Sequence, residues 1–595
     1  MSDRLKARNA ALIEHYYRFA TVDDEPPTTV AKAALALSHL HWAEQRKPGR
    51  AKVRVFNPSD AEHGYSSNHT VIETATDDSP FIVDSLTMQL NAASQGVLVK
   101  LHSVFWVERN ADGRLRDISA TRPSKGKSKA RNESLRAESW THFEIPRIID
   151  AAELAALERK LDAVLKDVKT AVSDWQKMLA KLRHASEDLQ RFGDPKHKLH
   201  EEARKFLDWL ADNHFTLLGY CEIPAKSQAA ASKPLGLLRT AKRRDALVRG
   251  RRKSGDPITI TKSSLRSTVH RPALLDDIRV DAFDAKGRVV GEHRFVGLFA
   301  SLAYNEYASD IPLLNGKVNE VIRRSKLDPS SHRGKTLRHI LDTFPRDELI
   351  QIGLDDLERI SIGILKIEER RKIRLFYWQS AYGDFYSCIV YLPRDGYSGR
   401  ARARVESLLS TAFGGTVVDS QLMISESTLA RLTLTIHRSD PKAKLPDADA
   451  LQEKLVAAAA SWLDRSRSAL LEAFPEDQAL ALHARLAAGF PVAYQESARA
   501  ERLSRDFFSI QSILDGKREQ RFDLVVDGKR GTFTAILQDN PIPLYVAEPI
   551  LENMGVLLLQ ETSHRVEIGT RTIWIQDFVF DLAAHVSLES SDVAK

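Results

Sequence analysis

The spacing of hydrophobic residues along the chain switches repeatedly between the period of a strand and that of a helix. Residues 52–56 and 70–74 alternate apolar and polar side chains, which predicts two strands. Residues 81–90 place apolar side chains three and four positions apart, which predicts a helix, and residues 97–107 and 140–145 again have strand patterns. From residue 70 onward, the predicted order is strand, helix, strand, strand.

Helical segments separate the strand-rich regions. Residues 1–50 predict two helices, and residues 441–520 are helical and charged. The clearest helix covers residues 151–190, where apolar residues from Leu154 to Leu182 recur every three or four positions. This pattern fits either a helix packed along a domain or an antiparallel helical arm.

Residues 196–325 predict an α+β domain of the sensor type. An amphipathic helix is followed by about five short strands, and Ala285-Lys286-Gly287 marks a hairpin between the last two. Helices then cover roughly residues 312–325 and 334–370.

The order of the first strand-rich region returns in residues 371–440 and again in residues 521–582. Asp78-Ser79-Pro80-Phe81-Ile82 and Asp539-Asn540-Pro541-Ile542-Pro543 each follow a strand, open an apolar helix and lead through a glycine to a long strand. We interpret these segments as diverged copies of one internal repeat.

Composition places the chain among globular proteins of several domains. Of its 595 residues, 43% are hydrophobic and 28% are charged, so about three to five domains are expected. The charged N-terminus is not a secretory signal, no stretch is apolar enough to span a membrane, and two cysteines cannot form a disulfide framework. These features favour a reducing cytoplasm and no membrane partner.

The net charge of +7 does not indicate a nucleic-acid protein, because the basic residues cluster in two short segments. Residues 122–136 and 242–253 lack interleaved aromatic residues, so we interpret both as solvated loops. Catalytic and metal signatures are also missing from the sequence. No strand is followed by a dinucleotide-binding glycine motif, and the histidines match no metal-binding spacing.

Residues 261–272 concentrate cations and hydroxyl groups. One interpretation is an anion or carboxylate pocket built by Lys262, Arg266, His270 and Arg271. The alternative is a loop buried against another domain, with its donors bonded to carbonyl groups. Interdomain contacts of this kind are common, which favours the second interpretation.

The repeated unit resembles an ACT domain, a small ferredoxin-like βαββαβ module that commonly binds amino acids. The resemblance implies a ligand at the strand-to-helix turn, where free N–H groups of a helix N-terminus attract a carboxylate. The turn usually carries Pro-Gly, whereas this chain has Pro80-Phe81 and Pro541-Ile542, which favours a structural or assembly role. The candidate positions are Asp78, Ser79, Phe81, Val83 and Asp84 in the first copy and Asp539, Asn540 and Ile542 in the third.

The whole chain resembles the N-terminal region of the large bacterial NAD-specific glutamate dehydrogenases. The resemblance rests on DDSPFIVDSLTM at 77–88, FLDWLADNHFTLLGY at 206–220, ITKSSLRSTVHRP at 260–272 and GEHRFVGLFASLAYN at 291–305. It implies an α+β multidomain chain with three ACT-like modules, one PAS-like domain and connecting helices. The resulting division is 1–50 N-terminal helices, 51–150 ACT-like, 151–195 long helix, 196–325 PAS-like, 326–370 helical linker, 371–440 ACT-like, 441–520 helical and 521–585 ACT-like.

The same resemblance implies a function in glutamate catabolism. Enzymes of this family convert L-glutamate and NAD to 2-oxoglutarate and ammonia in a catalytic domain that we expect to lie outside these 595 residues. We therefore expect a regulatory and oligomerisation region that is inactive alone, binds no NAD or metal itself, and contacts further copies and the catalytic half. A free-standing sensor with an amino-acid effector and an enzyme of unfamiliar type are the alternatives.

Overall fold

The computed structural model describes residues 3–20, 28–93, 96–122, 135–194, 197–225, 233–247, 256–367, 370, 372–438, 446–527 and 529–582. The chain forms two compact units, one of residues 1–366 with 378–385 and one of residues 367–377 with 386–595. Helices and antiparallel sheets are mixed in both units, as the periodicity predicted. Much of the two basic segments, at 123–134 and 248–253, lies outside the described residues.

Sheet 1 belongs to the first unit and is covered by helices on both faces. This cover explains why β2 is buried along nearly its whole length. The strand order is β1-β2-β5-β3-β4, with the bounds β1 Lys52–Phe56, β2 Thr70–Asp77, β3 Val99–Arg109, β4 Leu115–Ser119 and β5 Leu135–Ile145. Strand β4 was not predicted from the sequence pattern.

The two faces of sheet 1 have separate cores. On one face, apolar residues of two N-terminal helices pack against Phe105 and Trp140. On the other face, Leu86 and Leu161 pack against Ile72 and Phe143. The helices are α1 Asp3–Tyr16 and α2 Thr29–Ala43 on the first face, then the short α3 Asp60–His63, and α4 Ile82–Ala92 and α5 Ala151–Phe192 on the second.

Helix α5 is packed along its length rather than projecting as an arm. At about 1.5 Å per residue its 42 residues span roughly 63 Å. The same buried cluster contains Leu161 of α5, Phe143 of sheet 1 and Leu218 of the next sheet. Of the two arrangements that the sequence left open, the structure therefore has the packed one.

Sheet 2 follows α5 in the first unit and has the order β7-β6-β10-β9-β8. The predicted hairpin at 285–287 joins β9 to β10, which pair as antiparallel neighbours. The strands are β6 Phe215–Pro224, β7 Leu235–Gly236, β8 Ile258–Arg266, β9 Leu274–Phe283 and β10 Val289–Phe299. The surrounding helices are α6 Lys198–Trp209, α7 Ala241–Asp245, α8 Ser301–Asn305, α9 Leu314–Ser325, α10 His332–Asp342, α11 Arg346–Gln351 and α12 Leu354–Ile367.

Sheets 3 and 4 have the strand orders β11-β12-β14-β13 and β15-β16-β18-β17. Their strands are β11 Arg374–Gln379, β12 Phe385–Pro393, β13 Gly415–Met423, β14 Leu429–Arg438, β15 Gln520–Asp527, β16 Arg530–Gln538, β17 Val556–Ile568 and β18 Arg571–Leu582. Their helices are α13 Gly399–Phe413, α14 Ala448–Ala459, α15 Trp462–Ala473, α16 Glu476–Leu486, α17 Val492–Ser497, α18 Ala500–Leu514 and α19 Leu544–Asn553.

Sheets 1, 3 and 4 share one topology, which corrects the expected chain order of βαββαβ. In each sheet a strand is followed by a helix and then by two strands, which gives the neighbour orders β2-β5-β3, β12-β14-β13 and β16-β18-β17, and the edge strand beside the first of them precedes it in the sequence. In sheet 1, β4 is added between β3 and β5 in the sequence. The outer position that a final strand would take is thus filled by β1, β11 or β15. Short hairpins join β11 to β12 and β15 to β16, whereas residues 57–69 with α3 join β1 to β2. Because each of these pairs is antiparallel, no crossover helix is needed.

Candidate functional site

The strand-to-helix turn of sheet 1 has an unusual backbone conformation. Asp77 ends β2, Pro80 follows, and Phe81 stands immediately before α4 with a φ of 73°. This left-handed region suits glycine and is strained for a bulky side chain. Phe81 thus occupies the backbone conformation of the glycine that such turns usually carry. It also provides no side-chain hydrogen bond to the first turn of α4.

The turn is held from outside by the segment that carries the predicted anion pocket. The rings of Phe81 and His270 lie 5.1 Å apart, and the His270 N–H donates to Ser85 Oγ at 2.9 Å. His270 Nδ1 lies 3.7 Å from a carboxylate oxygen of Asp84, and His270 also has a left-handed φ of 74°. Two sets of residues that the sequence treated separately therefore meet, and two strained residues pack against each other.

A network of ion pairs holds the end of β2 in place. Arg46 Nη2 donates to Asp77 and Glu138, both at 2.6 Å, and Arg109 Nε donates to Glu138 at 2.6 Å. Burial opposes the charge on Glu138, but the hydrogen bonds from Arg109 and Arg46 outweigh it and hold its pKa below the usual value. This network fixes the position at which the turn begins.

A cavity of about 660 Å³ lies beside the turn. Its wall includes Ser79 and Ile82 from the turn and α4, and Lys166 and Lys169 from α5. Lys166 pairs with Asp162 at 2.5 Å, and Lys169 Nζ donates to a backbone carbonyl. With Arg50 also in the wall, the cavity combines cations with the N-terminal end of a helix, an arrangement that suits a carboxylate.

The five residues predicted as a ligand site in the first copy do not lie together around one site in the structure. Ser79 lines the cavity, Phe81 and Asp84 face His270, and Val83 packs against the apolar core. The Asp78 N–H donates to the Ala137 carbonyl at 3.0 Å. Arg50, Lys166 and Lys169 were not among the residues predicted from the sequence. The two lysines looked like part of the solvated face of a long helix, and no local signal distinguished them.

The corresponding turn of sheet 4 is closed by its own sheet. The Ile542 N–H donates to Gln576 Oε1 at 2.6 Å, and Gln576 Nε2 donates back to the Ile542 carbonyl at 3.1 Å. The Asn540 N–H donates to the Gln538 carbonyl at 2.8 Å. The left-handed residue is Asp539, with a φ of 66°, and not the position equivalent to Phe81. The backbone donors of Asn540 and Ile542 are thus already used.

The four residues of the predicted anion pocket lie close to polar or acidic groups of the protein. Lys262 Nζ lies 2.7 Å from Asp276 and 3.5 Å from Asp347. Burial raises the pKa of Asp276 to about 6 despite the opposing charge of Lys262.

Arg271 donates to Tyr304 Oη at 2.8 Å, and Tyr304 donates to Asp347 at 2.7 Å. Arg266 donates to the Pro272 carbonyl at 2.7 Å, while His270 faces Asp84. These contacts resemble the buried-loop alternative more closely, and the anion pocket stays a prediction.

Within the described ranges, no group of three or more histidine, cysteine or acidic side chains is arranged to hold a metal ion. In the same part of the chain, none of the helices combines the length and the apolar character needed to cross a membrane.

Five family models match this chain, and all describe parts of glutamate dehydrogenase. The models for its ACT1, ACT2 and ACT3 domains match residues 12–161, 374–463 and 526–593. The models for its helical motifs 1 and 2 match residues 311–370 and 469–502. The three ACT matches overlap sheets 1, 3 and 4, the sheets that share one topology.

Similar curated proteins carry the same family name. The NAD-specific glutamate dehydrogenase of Halomonas elongata is 34% identical over 93% of this chain and 35% of its own length. Its namesake in Pseudomonas aeruginosa is 32% identical over 99% of this chain and 37% of its own length. The chain spans about a third of the length of these relatives. With these matches and its ACT domains and helical motifs, the chain belongs to the family of large NAD-specific glutamate dehydrogenases.

Proposed function

We propose that this chain is the N-terminal regulatory and oligomerisation region of a large NAD-specific glutamate dehydrogenase. The observation that carries the proposal is the coverage: relatives align with 93–99% of this chain, which spans only 35–37% of their length. The oxidation of L-glutamate with NAD then takes place in the remaining part of the longer protein. In this proposal neither NAD nor a catalytic residue belongs to these 595 residues.

Exposed apolar side chains on sheet 4 support contact with a second copy of the chain. On α19, Tyr545 is 78% exposed and Ile550 56%, directly after the helix Met554 is 64% exposed, and on the edge strand β17 Leu557 is 57% exposed. Apolar residues concentrated at a helix and an edge strand are typical of a protein interface.

The five-stranded antiparallel sheet 2 supports the PAS-like assignment of residues 196–325. The contact of its loop at His270 with the turn at Phe81 offers a route by which a ligand at one domain could affect the other. We retain the eight-segment division of the chain as part of this proposal.

Two measurements test the proposed function. The purified chain should show no glutamate-dependent reduction of NAD, and light scattering should show an oligomer that Ile550→Asp disrupts. The same kind of change at another exposed apolar residue, Val289→Asp on β10, serves as the control. Turnover of glutamate by the pure chain, or a monomer at all concentrations, would contradict the proposal.

The cavity beside the turn of sheet 1 favours a second candidate function, a sensor that binds a free amino acid. Arg50, Lys166 and Lys169 supply positive charge there, and Asp77 and Asp162 supply carboxylates for an ammonium group. Calorimetry of the chain with a panel of amino acids checks this candidate. Heat that is lost in Lys169→Gln but kept in Lys177→Gln would support it, and no heat with any amino acid would leave only the assembly role.

A further inference from the structure

A cluster of ionisable side chains lies on the face of sheet 1 that α1 and α2 cover. At its centre is His142 of β5, which the strand register places between Glu73 of β2 and Leu101 of β3. His142 and Glu73 are both fully buried. The other ionisable groups of the cluster are Tyr16 of α1, His39 of α2, Arg54 of β1, Glu144 of β5, and Tyr65 and His69 from the segment between β1 and β2.

Both ring nitrogens of His142 face carboxylate oxygens. Nδ1 lies 3.2 Å from Glu73 Oε1, and Nε2 lies 3.5 Å from Glu144 Oε1. Glu73 also accepts from Arg54 Nε at 2.8 Å, and Glu144 also bonds His69 at 2.7 Å, which keeps both carboxylates ionised. A neutral imidazole has only one N–H, whereas the charged form has one on each nitrogen. The geometry is therefore satisfied only when His142 carries a positive charge.

The positive charge on His142 balances the buried charges of the cluster. Arg54 and His142 then face the carboxylates of Glu73 and Glu144, whereas His39 is neutral at pH 7, because burial lowers its pKa to about 4. Burial opposes the charge on His142, but its hydrogen bonds with Glu144 and Glu73 outweigh it and raise its pKa. Loss of the proton would leave one buried carboxylate without a counter-charge, facing a ring nitrogen that can only accept. Such an arrangement is costly in a fully buried site.

The cluster is connected to the N-terminal helices through His39 of α2. Nδ1 of this ring lies 3.9 Å from Glu73, and the ring stacks on Trp140 of β5 with the centroids 5.2 Å apart. The Tyr16 hydroxyl of α1 is hydrogen-bonded to the same nitrogen of His39 at 2.7 Å. A charge imbalance at Glu73 therefore affects the groups through which both helices contact the sheet.

We propose that His142 is a pH-sensitive switch that controls the packing of α1 and α2 on sheet 1. While the imidazolium bridges Glu73 and Glu144, the two helices stay packed, and when a rising pH removes its proton, the packing loosens. A folded-state pKa above the unfolded value of 6.5 contributes stability that is complete below pH 6.5 and is lost as the pH rises through the folded value. The switch therefore acts on the alkaline side, and it does not depend on the proposed function of the chain.

Hydrogen exchange of the full chain, compared between about pH 6.5 and about pH 9 and corrected for the intrinsic pH dependence of exchange, tests the proposal. Residues 29–43 of α2 and 70–77 of β2 should exchange about tenfold faster or more at the higher pH, since a shift of one pKa unit corresponds to a factor of about ten. Exchange in residues 530–554 of sheet 4 should not change. The control His41→Gln changes a histidine of α2 whose side chain is 86% exposed, and it should keep the pH dependence of the native chain.

Two variants separate the charge of His142 from its packing. His142→Gln is neutral at every pH, so α2 should exchange fast at both pH values. His142→Gln combined with Glu144→Gln removes the unbalanced carboxylate as well, so it should protect α2 at both pH values, and it provides the test if the single variant fails to fold. Exchange of α2 in the native chain that does not depend on pH would overturn the proposal. So would protection of α2 in His142→Gln alone, or a double variant with the pH dependence of the native chain.

Discussion

Two turns with matching sequence patterns, residues 78–81 before α4 and residues 539–542 before α19, can be compared directly in this structure. Around the first, Arg46 and Arg109 converge on Glu138, and a strained Phe81 packs against His270. Around the second, a single neutral amide, Gln576, bonds both the N–H and the carbonyl of Ile542. The same topology is thus secured by buried charge in one copy and by a neutral hydrogen-bonded pair in the other.

The difference has a consequence for ligand binding. A turn whose own sheet takes up its backbone donors has none left for a ligand, as at Ile542. The turn at residues 78–81 is instead held by the ion pairs of Arg46 and by the contact with His270. Space therefore remains beside the N-terminus of α4, and the cavity of about 660 Å³ lies there. A repeated fold therefore does not repeat its site, because the site depends on the side chains that surround the turn.

Removal of Glu138 should disrupt the ion pairs around the first turn and cause the largest loss of stability. Glu138→Ala leaves Arg46 and Arg109 buried without their shared carboxylate, which should cost about 3–5 kcal/mol of the free energy of unfolding. Hydrogen exchange followed by mass spectrometry should show faster exchange in residues 70–90 and unchanged exchange in residues 530–554. Equal protection of residues 70–90 in the variant and the native chain would show that the charges do not hold the turn.

The second largest effect should be a difference between sheets 1 and 4 in how acid changes their stability. Burial opposes the charge on Glu144, but hydrogen bonds from His142, His69 and Ser67 outweigh it and lower its pKa from 4.5 to about 2. A depressed folded-state pKa contributes stability above the unfolded value that is lost as the pH falls from about 4.5 towards about 2.

We therefore expect Glu144→Gln to reduce the acid dependence of unfolding around sheet 1 by roughly 1–3 kcal/mol over that pH range. Exposed Glu62 in the same domain provides the control Glu62→Gln. Denaturant unfolding at several pH values, followed by exchange in residues 135–145, measures the effect. The same acid dependence in Glu144→Gln and the native chain would contradict this expectation.

Loss of Gln576 should break the neutral arrangement with a smaller effect. Gln576→Leu leaves the Ile542 N–H without its acceptor, which should destabilise sheet 4 by about 1–2 kcal/mol. Gln560→Leu changes an exposed glutamine of the neighbouring strand and should cost little. Thermal unfolding and exchange in residues 540–554 provide the comparison, and equal stability of the two variants would rule out the role of Gln576.

The smallest expected effect is a difference in stability between glycine and alanine variants at the two turns, because their backbone conformations differ. At position 81, where φ is 73°, glycine should be more stable than alanine by about 1 kcal/mol. At position 542, where φ is not positive, alanine should be more stable than glycine by about 0.5–1 kcal/mol. Comparison of Phe81→Gly with Phe81→Ala, and of the same pair at Ile542, removes the effect of the lost side chain. The same sign at both positions would contradict the structural difference.

Several individual elements of the chain could be predicted closely from the sequence. The helix expected at residues 151–190 is Ala151–Phe192, and the hairpin expected at Ala285-Lys286-Gly287 joins β9 to β10. Strand β4 was missed because Leu115–Ser119 is a short edge strand with little periodic signal. The chain order βαββαβ, which the resemblance to an ACT domain implied, was wrong, whereas the alternating pattern of residues 52–56 already predicted a strand ahead of residues 70–74.

Local periodicity and turn residues by themselves determined the helices, the strands and the repeated unit of this protein, because these features depend on neighbours within a few positions. Only the tertiary structure decided the chemistry. Lys169 of α5 lines the cavity beside the turn at residues 78–81, and Gln576 of β18 bonds the turn at residues 539–542, across long separations in sequence. Contacts between distant segments depend on how whole elements pack, and no local pattern records which side chain will face which turn.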